Sequence, residues 1–289
     1  MGHKLNFPVT VSVLAGRLGL PFIGEDVEIS SVTPLADAQQ GGLCFSKNLF
    51  DNSQVSAGVV ITPDKVAPRH GAFLISDRPR LDFARARICL AEAPGFSGFE
   101  TPPAIHPTAR LGSNTILGKG SVVDPNTIIQ NNVVIGEGVR IGARCRNKSN
   151  TVIGEDGFGF ERDEDGRPIR QVHLGSVVIG DDVEIGSLNT VCRGTLSDTV
   201  IESDVKTDDH VHIAHNCRIR RGALLTACVE LSGGIDVGEY AWIGPNSSVI
   251  NQVSIGDRAF VGIGANVTKS VTAGIAVAGN PARSLAKGQ

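Results

Sequence analysis

The chain has 289 residues, 41% of them apolar and only 4% aromatic, with 35 glycines against one Trp and one Tyr. Lys and Arg number 27 and Asp and Glu 30, a net charge of -3; with no basic excess to neutralise a phosphate backbone, a sequence-independent nucleic-acid binder is not expected. Apolar runs fall far short of the roughly 18 residues of a membrane span, no charged-then-apolar leader opens the chain, and the six cysteines form neither a CxxC pair nor a short disulfide framework, so a cytoplasmic protein with reduced thiols is expected.

The first hundred residues carry mixed signals. VTVSVLAGRLGL reads as a short amphipathic helix, VEISSVTPL, GLCFS and AGVVIT as strands, and RLDFARARICLAE has helical spacing. Residues 1–100 are therefore expected to form a small α/β domain, joined onward through Glu100-Thr101-Pro102-Pro103.

From Ile105 the pattern changes. An aliphatic residue recurs every six positions, at Ile105, Leu111, Leu117, Val123, Ile129, Ile135 and Ile141, with Asn147 in the next slot and Ile153 after it. Gly often follows, and a small or β-branched residue sits four places on (Ala109, Thr115, Ser121, Thr127, Val133). The beat fails around 155–178, returns at Ile179, slips again before Ile201, and then runs unbroken to Val267. A period of six fits neither a helix nor an ordinary strand. It fits a triangular prism in which each hexad supplies one strand and one corner, the signature of a parallel β-helix. The expected architecture is mainly β: a prism over 101–276 with an inserted loop at 155–178, and a short tail at 277–289 that leaves the register. Residues 18 apart then occupy the same place on successive coils. The acidic string from Glu161 to Asp165 reads as a solvated loop.

The densest polar cluster is Asp208-Asp209-His210-Val211-His212-Ile213-Ala214-His215-Asn216. Ile213 fills an inward slot, which puts His215 near a corner, where an imidazole suits a general base. Eighteen residues on lies Gly233, whose bare backbone N–H suits an oxyanion. Asp208 or Asp209 is expected to orient His215. A zinc site built from His173, His210 and His215 across a subunit interface is an alternative, giving a trimeric lyase resembling the γ-class carbonic anhydrases. A non-catalytic binding solenoid is another.

IGEDGFGF, GSVVIGDDVEIGSLNTVCRGTLSDTVI and DDHVHIAHN closely resemble the bacterial UDP-3-O-acylglucosamine N-acyltransferases of lipid A synthesis. The likeness extends through LAGRLGL, ISSVTPLADAQQGGLCFSKN and AGVVIT. It implies a homotrimer of left-handed β-helices with active sites at the seams, transferring an acyl group from a thioester donor, acyl carrier protein or acyl-CoA, to the amine of a nucleotide-linked amino sugar, with no bound cofactor. The family's base maps onto His215 and its oxyanion glycine onto Gly233. Its nucleobase contacts map onto Phe45 and Asn48, with Phe50 substituting for a Tyr whose own position holds Asp51. Asp156, Phe158 and Phe160 of the DGFGF loop, together with His173, His210, His212, Asn216 and Asn251, complete the implied substrate set, along with Gln252, which stands where the family has a second active-site histidine.

Other departures are Cys192 for an Asp, and Arg170 and His173 for a Lys and a Gln. After the prism, Gly279, Asn280, Pro281 and Arg283 resemble the ending of CoA-dependent hexapeptide acetyltransferases, where this stretch lies along the pantetheine, rather than the family's helical extension. These departures favour a relative acting on another nucleotide amino sugar in surface-glycan synthesis; the lipid A enzyme itself is the alternative.

Overall fold

The computed structural model describes residues 3–47, 58–63, 68 and 70–285. The chain divides into two compact units, Met1–Gly98 with Gly159–Leu174, and Phe99–Phe158 with Gly175–Gln289.

The first unit contains a six-stranded sheet. Its strands are β1 (His3–Thr10), β2 (Phe22–Gly24), β3 (Glu28–Val32), β4 (Gly42–Phe45), β5 (Val59–Thr62) and β6 (Ala72–Ile75), in the order β1-β3-β4-β5-β6-β2. The four inner strands are parallel and the two edges antiparallel. The short edge β2 and the polar β1 carry little periodic signal, and sequence reading missed both, as it missed the short apolar run of β6. Central β5 is a continuous buried apolar run ending in Thr62, as a strand covered on both faces requires. Helix α1 (Val11–Leu18) starts where the Thr10 hydroxyl accepts from the Val13 N–H and stops at Gly19 in the left-handed region (φ 67°). Helix α2 (Pro79–Glu92) opens with Pro in its first turn and buries Leu81, Phe83, Ala84, Ala86 and Leu90.

The excursion belongs to this same unit. Phe160–Arg162 and Pro168–Arg170 form an antiparallel hairpin. Its acidic string is not a freely solvated loop: Glu161 pairs with Arg80, and Glu164 accepts from Arg85 at 3.0 Å. Deeper in, buried Arg87 donates to the Val172 carbonyl at 2.9 Å and to Gln171 Oε1 at 2.8 Å. Burial pushes that guanidinium down to about 10, opposed by the charge of Glu161.

The second unit is a left-handed parallel β-helix, so the protein is mainly β. Its strands, most of them two residues long, fall into three faces of 8, 10 and 8 strands. Above the first coil the second residue of each pair points inward and is buried, as at Val123, Ile129, Ile135 and Ile141, whereas Ile105 and Leu111 at the open end of the prism are exposed. Partners lie 18 residues apart, Val122 opposite Arg140 for example. On every face one step is 38 residues (Arg140 to Val178, Arg146 to Glu184, Val152 to Thr190) and the next is 22 (Val178 to Val200, Glu184 to Lys206, Thr190 to His212). The two breaks in the sequence beat are thus insertions of twenty and of four residues that leave the coils above and below in register. The third residue after many inward slots takes a left-handed conformation; Asn132, Asn150 and Asn216 do so, and also His210 and Gln252. Asn is the cheapest side chain there after Gly. The tail corrects one expectation: Ala276–Ala278 adds another parallel strand beside Phe260–Val261 before Arg283–Ser284 folds back on it. No helix among the described residues is long and apolar enough to cross a membrane.

One inward slot breaks the aliphatic rule. Asn147 is fully buried, and among the described residues neither its Oδ1 nor its Nδ2 has a hydrogen-bond partner. A buried polar group without a partner costs about 1–3 kcal/mol. Asn147→Leu is therefore expected to raise the thermal unfolding midpoint by a few degrees, measured by calorimetry; an unchanged or lower midpoint contradicts this account of the slot.

Candidate functional site

His215 lies in the corner that follows the strand His212–Ile213. Ile213 is buried in the prism, and the imidazole two residues on is half-buried at the surface. Its ring is held by the next residue: His215 Nδ1 is 3.0 Å from Asn216 Oδ1. The Asn216 amide has no freedom to flip. Its Nδ2 donates to the Ser197 carbonyl at 2.8 Å, while its Oδ1 accepts from the Thr195 N–H at 3.1 Å and the Thr195 hydroxyl at 2.8 Å. An amide oxygen can only accept, so the imidazole proton sits on Nδ1 and the lone pair on Nε2. Thr195 and Ser197 belong to the four-residue insertion, and Gly194 permits its tight path: a Cβ there would lie 1.6 Å from the Ser197 carbonyl oxygen.

The ring covers Gly233. A Cβ on that residue would stand 2.6 Å from His215 Cε1 and 2.8 Å from Nε2, so only glycine admits the imidazole in this position. At some corners the N–H is capped by a side chain one coil on: Ser113 by Asn131, Glu239 by Asp257, and Ser187 by Asp209 across the four-residue insertion. At Gly233 the stacked residue is the exposed Asn251, and among the described residues nothing accepts from the Gly233 N–H. The Gly233 carbonyl accepts from the N–H of Gln252, an exposed left-handed corner residue. One wall of the prism thus sets the imidazole side by side with an uncapped N–H donor.

Asp208 and Asp209 do not orient His215. Asp208 Oδ1 accepts from the Asp209 N–H at 2.8 Å, and Asp209 Oδ1 caps the Ser187 N–H at 2.7 Å. Both sit at the preceding corner, and neutral Asn216 takes the role expected of them. His210 is an exposed left-handed corner residue whose N–H donates to the Ser187 carbonyl. His212 does join His215. Its Nδ1 lies 2.6 Å from Thr190 Oγ1, and burial lowers its pKa, with Glu230 opposing and the charge of His215 adding to the fall.

Glu230 stands opposite His212 one coil up, and the Ser232 hydroxyl donates to its Oε1 at 3.1 Å. Sequence reading missed both Glu230 and Ser232. Stacking arithmetic from His212 leads directly to Glu230. Thr190 could not be found that way, because the four-residue insertion displaces it.

The DGFGF stretch is divided between the units. Asp156 and the 88% exposed Phe158 lie on the prism, whereas Phe160, under the Arg170 guanidinium at 4.7 Å, belongs to the amino-terminal unit. His173 belongs there too. It is 6% exposed, its Nδ1 donates to the Gln171 carbonyl at 3.1 Å, and its ring packs on Gly159. So buried, it is not available as the third ligand of a zinc shared with His210 and His215, and among the described residues no three His, Cys, Asp or Glu side chains converge as a metal site. Burial, and then the charge of Asp156, push the Cys192 thiol up to about 11, the wrong direction for a nucleophile. In the amino-terminal unit Phe45 packs 4.9 Å from Phe83 at 30°; Asn48 and Phe50 lie outside the described residues. At the tail, Asn280 Oδ1 accepts from Asn266 Nδ2 at 3.2 Å, and the Asn266 N–H donates to the carbonyl of Gly279 at 3.0 Å. Pro281 and Arg283 are exposed beside them.

The tautomer is directly observable. Nitrogen chemical shifts of His215 are expected to report protonation at Nδ1. Asn216→Gly, which keeps the left-handed backbone and deletes the acceptor, is expected to mix in the Nε2-protonated form; an unchanged spectrum contradicts the bracket.

A family model described as bacterial transferase hexapeptide (six repeats) matches residues 105–146. The UDP-3-O-acylglucosamine N-acyltransferase of Delftia acidovorans is 35% identical over 91% of this chain and 84% of its own length. The enzymes of that name from Coxiella burnetii and Herminiimonas arsenicoxydans are 33% and 32% identical, over 91% and 89% of this chain and 86% and 84% of their own. Among solved structures, the UDP-N-acetylglucosamine O-acyltransferase of Moraxella catarrhalis aligns with a TM-score of 0.55 at 27% identity, covering 64% of this chain and 72% of that one. The Francisella novicida UDP-N-acetylglucosamine acyltransferase gives 0.55 at 25%, over 64% and 69%. With its prism, its imidazole stacked on a glycine and relatives matched over nine-tenths of its length, this chain is an acyltransferase and belongs to the UDP-3-O-acylglucosamine N-acyltransferase family.

Proposed function

We propose that the protein transfers an acyl group from a thioester to the amine of UDP-3-O-acylglucosamine. The carrying observation is the His215 ring over the uncapped Gly233 amide. The neutral amine attacks the thioester carbonyl, forming the N–C bond, and charge collects on the carbonyl oxygen, where the Gly233 N–H receives it. His215 Nε2 takes a proton from the nitrogen. As the C–S bond breaks, the same proton passes to the departing sulfur, so His215 ends as it began. Asn216 holds the ring in the tautomer this sequence needs.

Between the two acceptors left open by the sequence, relatives named for UDP-3-O-acylglucosamine support the lipid A enzyme over a relative acting on another sugar. The departures at Gln252 and Cys192 do not outweigh them: Gln252 serves as a corner residue, and Cys192 carries no competing chemistry. Phe45 stacks the nucleobase in this reading, and the donor, acyl-CoA or acyl carrier protein, extends its thiol arm toward Asn280. Three copies assemble with the sites at their seams.

The test is turnover of UDP-3-O-acylglucosamine against UDP- and dTDP-linked amino sugars, with hydroxyacyl carrier protein, acetyl-CoA and longer acyl-CoAs as donors. Activity with the first acceptor is expected; activity confined to another amino sugar overturns the assignment. His215→Ala is expected to lower kcat by about 10²-fold or more, and Gly233→Ala, whose Cβ displaces the ring, by a comparable factor. Wild-type-like rates in both variants would place the chemistry elsewhere. Light scattering is expected to give the mass of three chains, and a monomer contradicts the seam.

A further inference from the structure

The wall that carries His215 also carries a carboxylate that no step above uses. On the lower coils of this face the outward residues are apolar: Ile116, Val134 and Val152. From the next coil up they become polar and stack in register as Thr190, His212, Glu230, Ser248 and Asn266. Strand neighbours stand about 4.8 Å apart, so Glu230 lies within one coil of His212 and three residues before Gly233. It is half-buried.

Acids elsewhere on the two-residue strands are neutralised: Glu184 pairs with Lys148 and Asp236 with Arg220. Glu230 differs. Among the described residues its hydrogen-bond partner is the Ser232 hydroxyl, and no Arg or Lys stands within ion-pair distance. A carboxylate offers about four lone-pair positions, and Ser232 fixes one oxygen while leaving acceptor capacity on the other. The charge of Glu230 is felt across the site, where at His212 it opposes both burial and the charge of His215. A half-buried anion with unused acceptors, next to a proposed base, is the complement of a cationic donor group.

We propose that Glu230 is a binding residue for the acceptor, receiving its amine as the charged ammonium beside His215 and Gly233. The inference rests on the acceptor reading above and deepens it. Simple amines are largely protonated near neutral pH, and a charge-assisted hydrogen bond to a carboxylate is stronger than one from a neutral hydroxyl. The nitrogen attacks only after one proton has left it for solvent. Glu230 therefore acts on which acceptor is held, and its loss falls on KM before kcat.

UDP-glucosamine and UDP-glucose differ in one group, ammonium against hydroxyl, and serve as probes in calorimetric titrations of the full-length protein at about pH 6.5, where a simple amine is cationic. Wild type is expected to prefer UDP-glucosamine about tenfold. Glu230→Gln is expected to abolish that preference without weakening UDP-glucose, and Glu230→Asp, which keeps the charge on a shorter arm, to retain part of it. A preference in Glu230→Gln equal to that of wild type overturns the inference and leaves the acceptor reading standing, as does a wild type that binds both ligands equally. Should Glu230→Gln lose its cooperative melting transition, Glu230→Asp alone decides: the full wild-type preference in that variant, or its complete loss, counts against the inference. Binding of neither ligand by wild type overturns the acceptor reading and the inference with it.

Discussion

The whole site depends on the hydrogen-bonded stacking of one coil on the next. Backbone N–H groups of one coil donate to carbonyls of the coil above, Val122 to Val139 at 2.9 Å and Gly136 to Ile153 at 2.7 Å, and the pattern repeats along the prism. Inside, buried aliphatic side chains stack in columns and fix the register, because a slip of one residue would turn the inward column out to water. A side chain at a corner needs no scaffold of its own under these conditions. The prism places it to the tolerance of a strand ladder, and its neighbour is whatever lies one coil away. His215 over Gly233 is one product of that rule, and Glu230 over His212 is another.

A repeat that perfect would leave little room for chemistry, and the functional features gather where it is broken. The four-residue insertion supplies Thr195 and Ser197, the bracket that pins Asn216 and through it the imidazole. Without those residues the coil would close, and the Asn216 side chain would lose three of its hydrogen bonds. The twenty-residue insertion leaves the prism and folds with the amino-terminal unit, tied to α2 by Arg80, Arg85 and buried Arg87. Local irregularity on a rigid frame is where loops usually carry function, and both insertions in this chain fit that pattern.

Legibility in the sequence followed the same division. Where the period held, arithmetic sufficed: the inward slots, the two breaks and the stacking of Gly233 on His215 need only a count of 18. Where it broke, the count failed. The length of the second break decides that Thr190 faces His212: ten residues separate Val191 from Ile201 where a hexad spans six, so the partner lies 22 positions away and a bare count of 18 misses it. The orienting group was misread for a different reason. Habit pairs a basic histidine with an acid, and two aspartates stood close by in the chain; six residues of sequence, however, carry the chain along a whole face of the prism, and the adjacent Asn lies at the same corner. Glu161 and Glu164 read as solvated because their partners are about eighty positions away, on α2. Glu230 went unread because a single acid in a hexad has the look of an ordinary outward residue until its missing counter-ion is seen.

The choice of an amide beside the proposed base has a consequence for the chemistry. An aspartate accepting from Nδ1 would fix the same tautomer, but its negative charge would also stabilise the imidazolium and slow release of the proton. Acyl transfer to an amine asks one imidazole to take a proton from nitrogen and return it to sulfur within a single turnover, so neither charge state can be strongly favoured. Asn216 sets the geometry of the ring while adding no charge to it. The negative charge is set instead one coil higher, on Glu230, where it meets the substrate's cation before the reaction starts. By separating the group that orients the base from the group that carries the charge, the wall supplies electrostatic attraction for the incoming amine without fixing the proton on the residue that has to give it up.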